Sequence, residues 1–520
     1  MRMQTKVKAE MSAVKRWLRL ILPLKRQLTV FILPIILLPL PLFLQSKEAK
    51  CAYVVLYMAY LWMTETLPLA ITALIPIMAY PLLGIDSASH ISSVYLSDVN
   101  FVFVGSLILA IAVEVSHLHE RIALRILLFT GSNPRWLMLG FQLATCLLSM
   151  WISNTATTAM MVPILLAVIG ELENCKRKNT DDLESNDKST TPAAFGAIKF
   201  TREDMDASES KERNVYKGLL LSVCFSASIG GTGTLIGTGP NLIMYSYLEK
   251  NYGHGVPITF ATWMLYSLPQ LIVMIIFEWL WLQLLFIGFR NTTDRDSECA
   301  VHETLRKKYE NLGTFRYDEC TILVNFVILV ILWLFRQPKF IPGWGELFEP
   351  GYVSDGTVAM GMALILFVLP AENPFKVRKT SGEYKPILEW KDMRERFSWS
   401  TVLLLGGGYA MAAGVEKSGL SDFVGRELSQ LEFLPEWIFV CLACLIVMCL
   451  TEVSSNVATS SIFVPLVASI ARAHKTNPLL YILPTTLSCS FAFMFPAGTP
   501  PNAIVFSSGF LKVFDMVGAL

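Results

Sequence analysis

Charge is what this sequence has little of. Lys, Arg, Asp and Glu make up 16% of its 520 residues, against about 25% in ordinary soluble proteins. The two signs nearly cancel, leaving a net charge of +1. A basic nucleic-acid binder and a charge-rich disordered chain are therefore excluded. Windows 136–170, 218–248 and 476–511 carry no charged side chain at all. About 20 apolar residues suffice for a helix to span a bilayer. The composition therefore excludes a soluble enzyme and indicates an all-α polytopic membrane protein embedded in a lipid bilayer.

The patterns of metal and redox chemistry are also missing. Only six histidines are present, and His117 and His119, beside Glu120-Arg121, read as solvated rather than as metal ligands. Cys441 and Cys444 have CxxC spacing but lie in an apolar run with no second pair. With Cys146, Cys224, Cys449 and Cys489 they read as small buried hydrophobes. No nucleophile–base–orienter set stands out, so an enzyme is not expected. No small-residue cleavage site follows the first apolar run, which is expected to stay in the membrane as a helix.

What is present is a series of apolar runs with polar connections. Spans are expected at about 28–45, two within 51–85, then 99–115, 260–289 (interrupted by Glu278), 320–336, 353–370 and 397–415. Window 136–170 would reach roughly 52 Å as one helix, well beyond a ~30 Å hydrocarbon core. Its centre, Ser153-Asn154-Thr155, is a poor helix interior and a plausible hairpin tip. Window 437–471, broken only by Glu452, has the same length. Glu65, Glu114 and Glu452 are the carboxylates in or near spans, each with buried pairing or interfacial placement as the plainer account.

Residues 1–27 hold eight Lys/Arg against Glu10 alone, which places this end in the cytoplasm. With two re-entrant hairpins, the Lys/Arg-bearing loops 116–135, 171–217, 290–318 and 371–396 then face inside. Loops 84–99 and 251–259, without Lys or Arg, face outside; Arg472 and Lys475 run against the trend. The sequon Asn291-Thr292-Thr293 falls inside and is expected to be unglycosylated. The organisation is a cytoplasmic N-terminus (1–27), a first repeat with scaffold helices (28–170) and a solvated polar loop (171–217). A broken helix with its following span (218–289), a cytoplasmic linker (290–318) and a second repeat (319–520) complete it.

The repeat is visible directly. At a shift of 302, Ser153-Asn154-Thr155-Ala156-Thr157-Thr158 overlies Ser455-Asn456-Val457-Ala458-Thr459-Ser460, and Val162-Pro163 overlies Val464-Pro465. Six of twelve positions from Ser153 to Ile164 are identical, where composition alone gives about one. Gly105 falls on Gly407 and Glu114 on Glu416. At a shift of 261, Gly237-Thr238-Gly239-Pro240-Asn241 matches Gly498-Thr499-Pro500-Pro501-Asn502. Repeated halves with corresponding interrupted apolar segments point to a transporter whose site lies near the midplane. The topology makes the halves inverted.

Gly-Thr-x-Pro-Asn cannot continue a helix, because proline lacks the amide donor and glycine unwinds readily. The break exposes carbonyls that suit a small cation and helix N-termini that suit an anion. No Lys or Arg lies in these windows to balance an anion, so co-bound cations must. This predicts cation-coupled anion transport. One Ser-Asn motif alone would be better explained by helix packing; its duplication favours binding. Gly231-x-Gly233 with Gly237 lacks the βαβ context of a dinucleotide loop. An anion channel would need a continuous pore, usually ringed with charge.

Three segments carry a family resemblance: Ser153 to Met161, Leu118-His119-Glu120-Arg121-Ile122-Ala123-Leu124-Arg125, and Thr499-Pro500-Pro501-Asn502-Ala503-Ile504-Val505-Phe506. From about Cys51 to Val517 the chain resembles the sodium-coupled di- and tricarboxylate/sulfate symporters of solute carrier family 13. The resemblance implies an inverted-repeat elevator-type fold with two re-entrant helical hairpins and two broken transmembrane helices. It further implies a homodimer in the plasma membrane and sodium as coupling ion. One sodium would meet Ser149, Ser153, Asn154 and the Gly237 region; the second would meet Thr451, Ser454, Asn456 and the Gly498 region. Substrate carboxylates would meet Asn154, Thr155, Thr238, Asn456 and Val457, with Thr499 and Pro500 nearby. Members often carry Thr at the place of Val457 or Ala at that of Gly498, although carboxylate-transporting animal members also have Val. Sulfate members often replace the Gly239-Pro240 pair with Ser-Thr and put Pro after the second Ser-Asn, so carboxylates such as citrate or succinate are preferred over sulfate. Family chains continue past the Asp515-Met516-Val517 region into a further helix, which is expected to be absent from a sequence ending at Leu520.

Overall fold

A computed structural model describes residues 25–131, 133–184, 210–253, 258–288, 295–374, 385–429 and 435–519. Most of the basic N-terminus, residues 185–209 of the polar insert and the 291–293 sequon lie outside the described residues. The regular structure of the described residues is helix, with one isolated bridge between Pro370 and Pro386. The first helices are α1 (Lys25–Leu37), α2 (Pro39–Leu44), α3 (Lys47–Thr64), α4 (Leu69–Thr72), α5 (Ile75–Leu82), α6 (Ala88–Tyr95), α7 (Asp98–Val115) and α8 (Leu118–Thr130). Next come α9 (Pro134–Ser149), α10 (Asn154–Glu184), α11 (Ser210–Gly231), α12 (Gly239–Tyr252) and α13 (Phe260–Leu282), which runs into a π-turn at Gln283–Ile287. Then follow α14 (Arg295–Asn311), α15 (Tyr317–Arg336), α16 (Asp355–Leu366), α17 (Trp390–Arg396), α18 (Trp399–Lys417) and α19 (Leu420–Ser429). The last are α20 (Glu436–Thr451), α21 (Asn456–Ala473), α22 (Pro478–Ser488), α23 (Pro500–Ser507) and α24 (Val513–Val517).

Local chemistry sets the helix starts. Ser46 caps α3 by accepting from the Ala49 amide at 3.2 Å. Asn133-Pro134 and Asn477-Pro478 open α9 and α22 alike: the Asn side chain accepts from the amide two residues on, and proline stands where no donor is needed. Among the described residues, five stretches are long and apolar enough to cross a membrane: Ala88–Val115, Asn154–Glu173, Phe260–Ile287, Tyr317–Arg336 and Asn456–Ala473. They fall into two kinds. Asn456–Ala473 is 67% buried inside the protein, Phe260–Ile287 only 22%. The second leaves Leu265, Ile272, Val273, Ile276 and Phe277 uncovered. A contiguous apolar face of that kind belongs against lipid, not water.

Both long windows divide in two. α9 and α10 meet at Met150–Ser153, α20 and α21 at Glu452–Ser455, and each pair packs on itself. The halves then interlock crosswise: α10 packs against α23, and α21 against α12. The repeat extends to the periphery. A Cβ built on Gly105 would lie 2.6 Å from the Ala359 Cβ, and one on Gly407 would lie 2.5 Å from that of Ala73. Each glycine lets two helices touch backbone to side chain.

Several expectations are corrected. The polar insert is not loop at its ends, because α10 runs on to Glu184 and α11 starts at Ser210; Glu, Lys and Arg there are good helix formers. The 290–318 linker is mostly helix α14, stapled by Glu303–Lys307 at 2.7 Å and Arg306–Glu310 at 2.8 Å. The 116–135 loop is largely α8. Its His119 is buried, with Nδ1 2.9 Å from the Val113 carbonyl, not solvated. On the same helix Arg121 forms a buried pair with Glu319, Nε to Oε2 at 2.9 Å. The 51–85 region holds one long helix and two short ones, because Pro68, Pro76 and Pro81 interrupt the second half. Cys441 and Cys449 are exposed on the outer face of α20 beside Leu442 and Leu445, since that face carries only weakly polar or apolar groups. Glu114 is neither buried nor unpaired: it forms a half-exposed ion pair with Arg396 at 2.5 Å.

The glycine contact at Gly105 predicts a stability effect. Gly105→Val should destabilise the protein by about 1–3 kcal/mol through overpacking, read as a lower melting temperature in size-exclusion thermal scans. Gly361→Ala, at a position with nothing within 4 Å, should be neutral or slightly stabilising.

Candidate substrate and cation site

The two hairpin tips and the two Gly-Thr-x-Pro-Asn loops line one cavity of about 1420 Å³. Helix geometry produces this convergence. α11 ends at Gly231 and α12 begins at Gly239; α22 ends at Ser488 and α23 begins at Pro500. The intervening residues are not helical, and Thr238 and Thr499 are the extended N-cap residues of α12 and α23 (φ −147° and −144°).

Of the sequence-derived candidates, Ser153, Asn154, Thr155, Gly237, Thr238, Ser454, Asn456, Val457, Gly498, Thr499 and Pro500 line the cavity. Ser149 and Thr451 are fully buried behind the tips. Their surroundings are equivalent. Ser149 Oγ lies 2.6 Å from Asn154 Oδ1 and 2.7 Å from the Ala227 carbonyl. Thr451 Oγ1 lies 2.9 Å from Asn456 Oδ1 and 2.7 Å from the Cys489 carbonyl. In each triad three oxygens converge, and the hydroxyl has a single proton to share between two acceptors. The contact that the proton does not serve is left as lone pair against lone pair. A small monovalent cation would relieve that arrangement, and hard oxygen donors are the ligands it takes.

The loops are held by a second set of side chains. Asn241 Nδ2 donates to the Thr234 carbonyl at 2.7 Å. At the equivalent place Asn502 Nδ2 donates to the Ala492 and Phe495 carbonyls at 3.0 and 3.1 Å. From α13, Ser267 donates to the Gly233 carbonyl at 2.8 Å and Trp263 to that of Thr232 at 3.2 Å. Thr234 Oγ1 donates to the Met150 carbonyl and so ties the first loop to the first tip. Glu452, at the root of the second tip, accepts from the amides of Phe493, Met494 and Phe495 at 2.6, 2.9 and 3.1 Å.

These supporting residues were not among the sequence-derived site residues. Asn241 and Asn502 had a signal, because both belong to the duplicated motif. Glu452 was visible only as an interruption. Thr234, Ser267 and Trp263 carried no signal, since their partners are set by tertiary contact. The cavity wall includes Glu65 and Glu452 but no Lys or Arg among the described residues. Glu452 is already occupied by three amides. The wall can therefore offer an anion neutral donors and helix N-termini, and can offer a cation oxygen atoms.

Comparison with known proteins agrees in kind. The family profile described as sodium:sulfate symporter transmembrane region matches residues 15–519. The Na(+)/citrate cotransporter of Rattus norvegicus is 41% identical over 517 residues, 94% of this chain and 90% of the relative. Solute carrier family 13 member 2 of Homo sapiens is 42% identical over 529 residues, 95% of this chain and 89% of the relative. The Na(+)/dicarboxylate cotransporter 3 of Homo sapiens is 39% identical over 531 residues, covering 95% and 88% respectively.

The Glu452 contacts predict a structural requirement. Glu452→Ala leaves three amides without their acceptor and should destabilise the protein by about 2–3 kcal/mol. Glu452→Gln, which keeps one acceptor oxygen, should lose less. Thermal scans of the purified variants check both, and equal melting temperatures for all three proteins would remove Glu452 from this role.

Proposed function

The chain belongs to the sodium:sulfate symporter family, a family of transporters rather than enzymes, and from that premise we propose that it couples sodium influx to the uptake of di- and tricarboxylates such as succinate and citrate. The observation that carries the reading is the single cavity between two equivalent oxygen triads, with no basic side chain in its wall. An anion of two or more charges entering such a cavity lacks a fixed counter-charge. Cations bound at the triads supply it, so neither ion is stable at the site without the other. That mutual dependence is symport.

One sodium ion is held by Ser149, Ser153, Asn154 and the Gly237 loop, and a second by Thr451, Ser454, Asn456 and the Gly498 loop. The substrate's carboxylates meet Asn154, Thr155, Thr238, Asn456 and Val457, with Thr499 and Pro500 nearby. The helix pairs α9–α10 and α20–α21 are re-entrant hairpins, and α11–α12 and α22–α23 are broken membrane helices. The crosswise packing of the hairpins on the broken helices supports their motion as one rigid body against the remaining helices, an elevator. The protein is multi-pass in the plasma membrane, with its N-terminus in the cytoplasm, and works as a homodimer. Carboxylates are favoured over sulfate because Gly239-Pro240 and Val457 stand where sulfate members often differ. Two of the relatives above are named for citrate and dicarboxylate, whereas the matching family profile is named for sulfate.

Uptake of labelled citrate, succinate and sulfate, with sodium replaced by choline, tests the reading. Citrate or succinate uptake should require sodium. Flux that persists in choline would overturn symport, and uptake of sulfate alone would make the substrate sulfate. Asn154→Ala and Asn456→Ala should each lower coupled uptake by at least about tenfold at unchanged surface expression. Normal sodium dependence in both would overturn the site assignment.

A further inference from the structure

Glu278 lies outside the cavity, and nothing above uses it. It is the only charged residue of the 260–289 run. The outward face of α13 is apolar and uncovered, whereas Trp263, Ser267, Leu271, Ile275, Glu278 and Leu282 form its buried face at spacings of three and four. Glu278 is thus fixed toward the protein interior and cannot reach water by turning outward.

Its neighbours are polar but uncharged. Ser226 Oγ, on α11, lies 2.8 Å from Glu278 Oε2 and 3.1 Å from Oε1. Gln142, on α9, is fully buried beside the same carboxyl. Its amide is engaged by no other residue, which leaves it free to serve the Glu278 carboxyl. The Cys146 thiol on α9 and the Cys224 thiol on α11 lie close enough to sense the Glu278 carboxyl. No basic group does so from α9, α11, α15 or the π-turn packed against α13.

An ionised carboxylate buried without a cationic partner is strongly unfavourable, and such groups at membrane depth are neutralised or paired. A proton completes this cluster. Ser226 donates to one carboxyl oxygen. The proton on the other needs an acceptor, and Gln142 Oε1 is one. The same helices carry the first oxygen triad. Ser226 precedes Ala227, whose carbonyl faces Ser149, and Ser149 follows Gln142 by two turns on one side of α9.

We propose that Glu278, with Ser226 and Gln142, is a proton-binding site linked to the first cation half-site. Release of the proton leaves a negative charge near the Ser149–Asn154 oxygens and strengthens cation binding there; cation binding in turn favours release. The proton departs from the carboxyl O–H to solvent, and no other bond changes. This inference rests on the sodium-symport reading. Its sign is definite: apparent sodium affinity weakens as pH falls through the titration of Glu278 and is highest above it, by at most tenfold per pH unit for one proton.

The test uses the purified full chain in nanodiscs. Sodium is titrated at mildly acidic to mildly alkaline pH while the fluorescence of the protein, whose Trp151 lines the cavity, is followed. The wild-type midpoint should rise by about tenfold from the alkaline to the acidic end of that series, within the usual span of coupling between two sites. In Glu278→Gln, which keeps the side-chain shape, it should stay flat. In infrared difference spectra, sodium should remove a protonated-carboxyl band from the wild type that Glu278→Gln never shows. A pH slope shared by Glu278→Gln, or a wild-type carboxyl band indifferent to sodium, overturns the proposal while leaving symport intact. Absence of any sodium signal in the wild type at every pH overturns both.

Discussion

Backbone that leaves the helix inside a membrane must find all its hydrogen bonds within the protein. On the proposed topology, the architecture of the cavity follows from that constraint. Residues 232–238 and 489–499 are unwound, and the polar groups freed there would each be destabilising by several kcal/mol if left bare in hydrocarbon. Asn241 and Asn502 are the recurring answer. Each sits one turn into the downstream helix and reaches back to the carbonyls of its own loop. The motif is therefore a self-contained device: glycine permits the turn, proline ends amide pairing, and asparagine ties the result down.

Beyond that shared device the two loops are stabilised with opposite polarity. In the first, the amides of Thr232 and Gly233 still bond the Ile229 and Gly230 carbonyls, so the remaining need is for donors. Asn241, Ser267 and Trp263 provide them. In the second, the amides of Phe493, Met494 and Phe495 are free, so the need is for an acceptor, and Glu452 is one. A shift of 302 puts Met150 opposite Glu452, and the Met150 carbonyl instead receives Thr234. Glu452 thereby ceases to be an isolated intramembrane charge. Its carboxylate is spread over three amides, which is the condition under which a buried acid is tolerated without a basic partner.

The sequence made the duplicated parts legible and left the unique parts obscure, for a physical reason. Tips and loops recur because both halves solve one backbone problem, and a recurring solution leaves an alignable string. The triads at Ser149 and Thr451 were accessible only through family resemblance, because a hydroxyl five residues before an Asn carries no pattern of its own. The partners of Glu452, the burial of His119 and the pair Arg121–Glu319 are set by contacts between distant segments, which periodicity does not encode. The charge of the polar insert and of the 290–318 linker suggests loop. Charge alone does not distinguish a solvated loop from a helix stapled by pairs four residues apart, such as Arg306–Glu310.

Val457 bears on how symmetric the site can be. It replaces the Thr155 hydroxyl at the equivalent position of the second tip, and its side chain is buried against Gly239 of the first loop. A side chain at residue 239 would strike Val457 Cγ2, so the glycine and the valine together set how closely the second tip approaches the first loop. Val457 is thus a packing residue, and the second tip offers no hydroxyl there. The second half has another nearby. Thr499 Oγ1 is buried in the cavity wall without a hydrogen-bond partner, whereas an unfilled hydroxyl of that kind is normally satisfied. On the proposed reading the first half meets the anion with two threonine hydroxyls, at Thr155 and Thr238, and the second with one, at Thr499. A symmetric pair of broken helices then presents an asymmetric face, which suits a substrate whose carboxylates need not be equivalent.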